Sequence, residues 1–252
     1  MEGLRAVVQR LVADRLAEPG TLDSARRPID GGQNGLERKG PASLTVIGRD
    51  GSDGQSFAVI GDQMDIGRTE GALTFDDPHL APRHARITCG PTGYVLCDLS
   101  TRNGVYRRLR GPIDLDDGDQ ILLGKQVLQF TVVTDYQRAM NPSIDSGVLL
   151  FGTPVPPAWG RLMQITLSGV ACDIIHLSRQ GVVLGREQGD VVFSDDEFMS
   201  RRHAQVSIRE GRARLEDLGS SNGTFIRLRG LHSLVSGDFI RVGDELLRFD
   251  LG

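Results

Sequence analysis

The chain has 252 residues, a formal net charge of −4 at pH 7, 32 glycines and only 5% aromatic residues. That length accommodates two domains of ordinary size with a tail and a connection to spare. The acidic balance excludes a general polyanion-binding surface, so no nucleic-acid partner is expected.

Leu4, Val7, Val8, Leu11, Val12 and Leu16 fall at helical spacing before Pro19 and Gly20, which predicts a short N-terminal helix. An isolated helix of that length is marginal in water, so it is expected to pack on a neighbouring domain or to be partly disordered. Residues 20–41 have no apolar period and complete a flexible tail, 1–41. Alternating or short apolar runs then predict strands at 43–48, 56–60, 63–66, 85–89, 94–99, 120–123 and 126–133. Turn residues such as Asp50-Gly51 and Gly90-Pro91 separate them. Residues 136–159 include Asn141-Pro142 and Pro154, Pro156 and Pro157, and read as a proline-stiffened linker. The strand pattern restarts after it and runs to Phe249, so the fold class is all-β, with two domains at 42–135 and 160–252.

No run of 18 apolar residues and no signal-peptide pattern occurs, so membrane insertion is not expected and the cytoplasm is the expected location. Cys89, Cys97 and Cys172 lack metal-ligand spacing and are expected to be buried free thiols; no metal and no cofactor are expected.

The two halves repeat one spacing. Gly67-Arg68 is followed by His84 sixteen residues after the arginine and by Asn103-Gly104 nineteen after the histidine. Gly185-Arg186, His203 and Asn222-Gly223 follow at seventeen and nineteen. Beyond the histidines the match holds at an offset of 119, as Phe130 and Phe249 illustrate. In the second copy an arginine (Arg186), a serine followed by an arginine (Ser200, Arg201) and a Ser-Asn pair (Ser221, Asn222) form a donor set for a tetrahedral dianion. Asn222 both donates and accepts, which suits a peptide backbone. A Ser with a His three residues on also evokes a hydrolase fragment, but Ser200 lies in no G-x-S-x-G elbow and no orienting carboxylate is indicated, so no catalytic residues and no enzyme are expected.

Gly-Arg, Ser-x-x-His and Asn-Gly over about a hundred residues resemble the forkhead-associated (FHA) domain, a β-sandwich that binds phosphothreonine peptides. The resemblance covers most of the chain and implies two tandem FHA-type sandwiches. It implies that Arg186 and Ser200 hold the phosphate, that Arg201 and Ser221 support it, and that Asn222 holds the ligand's main chain. It also implies that His203 props the loop from beneath, and that Gly185, Gly219 and Gly223 serve backbone conformations a Cβ would oppose. In the first copy Ala81 and Pro82 stand where Ser200 and Arg201 stand in the second, and Arg102 stands at the position of Ser221. Ala81 has no side-chain donor and Pro82 no N–H, so Arg68, Arg83, Arg102 and Asn103 are expected to form at most a weak, degenerate site.

The expected function is a non-catalytic adaptor that binds phosphothreonine-containing partners of Ser/Thr kinase signalling through the second domain. Two alternatives stand beside it: a phospho-independent scaffold or dimerisation protein, and a switch inhibited by its own phosphorylated tail, for instance at Thr21.

Overall fold

The computed structural model describes residues 41–91, 93–99, 101–138, 144–149, 151–153 and 157–252. The expected helix at 1–17, Thr21, nearly all of the tail, and Asn141, Pro142, Pro154 and Pro156 lie outside the described residues. Those described form an all-β structure. The first repeat supplies β1 (Ala42–Ile47), β2 (Asp53–Val59), β3 (Gln63–Gly67), β4 (Leu73–Thr74), β5 (Ala85–Gly90), β6 (Gly93–Asp98), β7 (Val105–Arg108), β8 (Ile113–Leu115), β9 (Gln120–Leu123) and β10 (Gln126–Val132). In the stretch expected as a linker stand a single helical turn, α1 (Asp135–Arg138), and a small hairpin, β11 (Ile144–Asp145) with β12 (Val148–Leu149). The second repeat supplies β13 (Gly160–Ile165), β14 (Ala171–Leu177), β15 (Gly181–Gly185), β16 (Val191–Val192), β17 (Ala204–Arg209), β18 (Arg212–Asp217), β19 (Thr224–Arg227), β20 (Leu231–Leu234), β21 (Asp238–Val242) and β22 (Glu245–Leu251).

The strongest alternations became the central strands. Leu128 and Phe130 point inward from β10, and Leu247 and Phe249 from β22, with half-exposed residues between them. Strands β4, β7 and β8 had no such signal. Two or three residues are too few to show a period, and Val-Tyr-Arg-Arg in β7 does not alternate. The thiols differ from expectation. Cys89 and Cys97 are half-buried and Cys172 is exposed. Cys172 lies on β14, an edge strand whose first four residues all face solvent.

The pairing of the strands crosses the repeats. One ten-stranded sheet runs β14-β13-β10-β9-β19-β7-β21-β22-β1-β2. Its first strand of the chain, β1, pairs along its length with the last, β22, with Leu44 opposite Phe249. Strand β10 of the first repeat pairs with β13 of the second, with Phe130 opposite Leu162. Two five-stranded sheets cover the halves, β20-β6-β5-β3-β4 on one and β16-β15-β17-β18-β8 on the other. Each cover also takes one strand from the other repeat.

Two hydrophobic cores result. One gathers Leu44, Ile66, Ile87 and Leu96 of the first repeat with Ile240, Leu247 and Phe249 of the second. The other gathers Ile121, Leu128 and Phe130 of the first with Leu162, Leu184, Val206 and Leu215 of the second. We call these lobe A and lobe B. The exchange occurs over a few residues. Val105 is buried in lobe A and Leu109 in lobe B, while Ile226 belongs to lobe B and Leu228 to lobe A. Between Val105 and Leu109 the chain has neither Gly nor Pro at which to reverse, so it continues extended from one lobe into the other. The boundaries 42–135 and 160–252 thus delimit sequence repeats, and each core draws strands from both.

Reciprocal side-chain contacts lock the crossing. Arg110 pairs with Asp238 at 2.7 Å, and its repeat equivalent Arg229 pairs with Asp119 at 2.8 Å. Contacting core residues couple in double-mutant cycles by on the order of 0.5–3 kcal/mol, whereas distant ones add within roughly 0.5 kcal/mol. Leu44→Val should therefore couple to Phe249→Leu and be additive with Phe130→Leu, as read by urea unfolding of the full chain. The opposite pattern would mean that β1 pairs with β10 of its own repeat.

Candidate functional site

A buried histidine fastens the recognition loops of each repeat. His203 is fully buried; its Nδ1 accepts the Ser200 amide at 3.0 Å and its Nε2 lies 3.1 Å from the Gly223 carbonyl oxygen. An acceptor at Nδ1 and a carbonyl at Nε2 fix the neutral tautomer with its proton on Nε2. His84 repeats this, with the Ala81 amide at 3.1 Å and the Gly104 oxygen at 2.9 Å. His203 is thereby committed to two backbone groups, and its ring does not touch the Ser200 hydroxyl. The Ser200 Oγ instead accepts the Ser221 amide at 3.0 Å, which leaves its own O–H free to donate outward.

The sequence set converges in lobe B. Arg186 follows β15 directly, and its amide donates to the Ser200 oxygen at 2.9 Å. Its guanidinium and that of Arg201 both reach Glu187, at 2.8 and 3.6 Å. A Cβ on Gly185 would collide with the Arg201 and Gln188 carbonyls, so only glycine permits the two loops to touch. Gly223 has φ +84°, a left-handed conformation, and packs against the Arg108 guanidinium. Asn222 donates through Nδ2 to the Phe198 oxygen at 2.7 Å, which leaves its side-chain oxygen and an exposed face to a ligand.

Several organising residues gave no sequence signal except their recurrence at the 119-residue offset. Asp217 accepts the Gly219 and Ser220 amides at 2.9 and 2.8 Å and the Thr224 hydroxyl at 2.6 Å. Burial would raise its pKa, but the Ser220 and Thr224 hydroxyls and the two amides outweigh that and hold the carboxyl below its ordinary value. Its equivalent Asp98 accepts the Thr101 amide and hydroxyl at 2.9 and 2.8 Å. Asp196 and Asp77, both buried, organise the loops preceding Ser200 and Ala81.

Lobe A keeps this backbone and lacks the donors. Arg68 N donates to the Ala81 oxygen at 2.9 Å, and the Pro82 oxygen accepts Glu70 N at 2.8 Å, just as Arg201 O accepts Gln188 N at 2.9 Å. Pro82 has not displaced the loop. One side chain is diverted, however: Arg83 is held by Asp65 at 3.1 Å and Glu70 at 3.4 Å. Asn103 donates to the His79 oxygen at 2.7 Å, as Asn222 does to the Phe198 oxygen, and Arg68 and Arg102 are exposed. Asp77, His79 and Asp244 also approach one another within 4.8 Å, with Asp77 engaged by the amides of His79 and Asp244 at 2.8 and 2.7 Å. Among the described residues no helix is long and apolar enough to cross a membrane.

The sequence profile of the FHA domain family matches residues 45–124 and 182–243, more than half of the chain. An oxoglutarate dehydrogenase inhibitor of Corynebacterium glutamicum is 30% identical over 120 residues, covering 47% of this chain and 84% of that protein. An FHA domain-containing protein, FhaB, of Mycolicibacterium smegmatis is 36% identical over 90 residues, covering 34% of this chain and 58% of its own. A solved FHA domain from work on phosphothreonine-dependent FHA interactions aligns at 28% identity over 34% of this chain and 88% of its own, with a TM-score of 0.21.

Burial, the largest influence, pushes the pKa of His203 below its ordinary 6.5. Burial and then the Arg107 charge do the same to His232. Both rings hold a proton less readily in the folded protein than once unfolded. Their contribution is therefore complete above 6.5 and is lost as pH falls below it. Urea midpoints should decline from about pH 8 to about pH 5.5, and His203→Gln, less stable at the upper end, should show a shallower slope.

Proposed function

This chain belongs to the forkhead-associated domain family, and we propose that it is a non-catalytic, cytoplasmic adaptor that captures phosphothreonine peptides through the site of its second repeat. Its partners on this reading are phosphorylated proteins of Ser/Thr kinase signalling. The observation that carries the reading is the outward-facing set of Arg186, Ser200, Arg201, Ser221 and Asn222, beside an equivalent lobe where Ala81 and Pro82 replace two donors.

Chemistry favours a phosphate over other ligands here. Glu187 engages the guanidiniums of both Arg186 and Arg201. A phosphate carries up to two negative charges and three acceptor oxygens, so it can displace a singly charged carboxylate. An unphosphorylated peptide offers at most another singly charged carboxylate, which gains nothing over Glu187. The free Ser200 hydroxyl supplies a neutral donor, and Asn222 stands where it can grip the peptide backbone. A hydrolytic role is disfavoured by the same geometry. The His203 ring nitrogen that faces Ser200 is occupied by its amide, and among the described residues no base is hydrogen-bonded to its hydroxyl.

Each hydrogen bond to a charged group is worth about 1.5–3 kcal/mol, which corresponds to roughly tenfold to a hundredfold in affinity. Arg186→Ala in the full chain should lower affinity for a phosphothreonine peptide by at least ~10-fold in calorimetry. Unchanged affinity would place the phosphate elsewhere. A second experiment addresses lobe A. Its loop backbone is preserved, so Ala81→Ser with Pro82→Arg, made on the Arg186→Ala background, should restore measurable phosphopeptide binding. A folded variant that stays silent would locate the defect outside these two side chains.

A further inference from the structure

Asp196 is 2% exposed and ties the recognition loop of the second repeat to the first. One carboxylate oxygen accepts the Lys125 amide at 2.7 Å, from the turn between β9 and β10, and the Gln126 side-chain amide at 2.9 Å, from the first residue of β10. The other accepts the Phe198 amide at 3.1 Å. Phe198 in turn offers its carbonyl to Asn222, and Ser200 follows two residues later. Lys125 adds two contacts of its own, an ion pair with Glu197 at 2.9 Å and a position over the Phe198 ring at 4.9 Å. A continuous chain of bonds thus runs from the first repeat into the residues that present Ser200 and Asn222.

The reciprocal turn in lobe A has the same backbone and the opposite charge. Asp244 and Glu245 stand where Lys125 and Gln126 stand, and the Asp244 amide donates to Asp77 at 2.7 Å. Three carboxylates therefore meet there. Burial first, and then Asp77 and Asp244, raise the pKa of Glu245. Because the strands are exchanged, the repeat with the incomplete site lends a basic and neutral turn to the complete one. The complete repeat lends an acidic turn in return. A negative turn behind a loop that must hold a dianion opposes binding, and a positive one favours it.

We propose that Lys125 and Gln126, carried by the first repeat, are positioning residues for the phosphopeptide site of the second repeat and set its affinity. The inference rests on the reading that this site binds phosphothreonine. Lys125 and Gln126 act through Asp196 and Glu197 and do not touch the ligand. What they provide is the fixed placement of Asn222 and Ser200 and a local field that does not oppose the phosphate.

The test uses the full chain and a phosphothreonine peptide selected by the unmodified protein from a degenerate pool, with affinities measured at about 0.05 M and about 0.5 M salt. Gln126→Ala should weaken binding by ~3- to 10-fold at both salt concentrations, since it removes a hydrogen bond to a charged group. Lys125→Glu should weaken it by ~10-fold at low salt with a gap that narrows at high salt, because exposed charges are screened. Lys125→Arg should preserve affinity. Thermal midpoints of all three should stay close to that of the unmodified chain, which separates positioning from loss of fold. If Arg186→Ala loses the peptide while Lys125→Glu and Gln126→Ala bind it as tightly as the unmodified chain, this inference is overturned and the assignment of the site stands. If the unmodified chain retains no phosphopeptide from the pool, the assignment itself falls and this inference falls with it. A Lys125→Glu defect that is indifferent to salt would overturn the electrostatic part.

Discussion

Strands β7 and β19 run antiparallel past one another, Tyr106 opposite Arg227 and Phe225 opposite Arg108, and each leaves the core in which its repeat began. The rest of the architecture depends on this crossing. It places β10 against β13 and β22 against β1, so neither core can close with the strands of one repeat. The junction is also polar and specific. Arg227 donates to Gln120 Oε1 and to the Thr101 oxygen, each at 2.8 Å, and Arg108 lies over the Phe239 ring at 5.4 Å. These contacts satisfy charged side chains where the two lobes meet. The stability of either lobe is consequently a property of the whole chain from β1 to β22.

The crossing brings the recognition loops under joint control. Gly104 packs against Arg227, and Gly223 packs against Arg108, so each Asn-Gly loop rests on an arginine of the other repeat. Asp77 and Asp196 are answered in the same crossed fashion. Donors held in advance favour binding, because ordering them at the moment of binding costs affinity. Here the holding is divided between the repeats, and the repeat that carries Ala81 and Pro82 supplies Lys125 and Gln126 to the loop that carries Ser200.

Much of the candidate site was legible from spacing alone. Arg186, Ser200, Arg201, Ser221 and Asn222 stood out because the interval from arginine to histidine to Asn-Gly recurs. That the first repeat lacks the serine hydroxyl and the following arginine was legible from Ala81 and Pro82. The diversion of Arg83 to Asp65 and Glu70 was not, since an ion pair between β3 and the loop before β5 leaves no local pattern. Glu187, Asp196 and Asp217 were passed over for a related reason. An acidic residue in a polar loop reads as solvated until the fold shows what it faces. The exposure of Cys172 was hidden too, because an edge strand and a central strand can share the same apolar residues.

The sequence by itself determined the longer alternating strands, the repeat and the composition of each recognition loop, because these follow from local alternation, turn residues and side-chain chemistry. Which strand lies beside which was decided only by the tertiary structure. Leu44 can pack against Phe130 or Phe249 with equal chemistry, since both stand at the same place in their repeats, and both β10 and β22 present the same inward pair. Nothing in a periodic pattern distinguishes two partners with the same pattern. The course of residues 105–109, extended from one lobe into the other, selects between them, and with that selection it assigns Lys125 and Gln126 to the loop that carries Ser200.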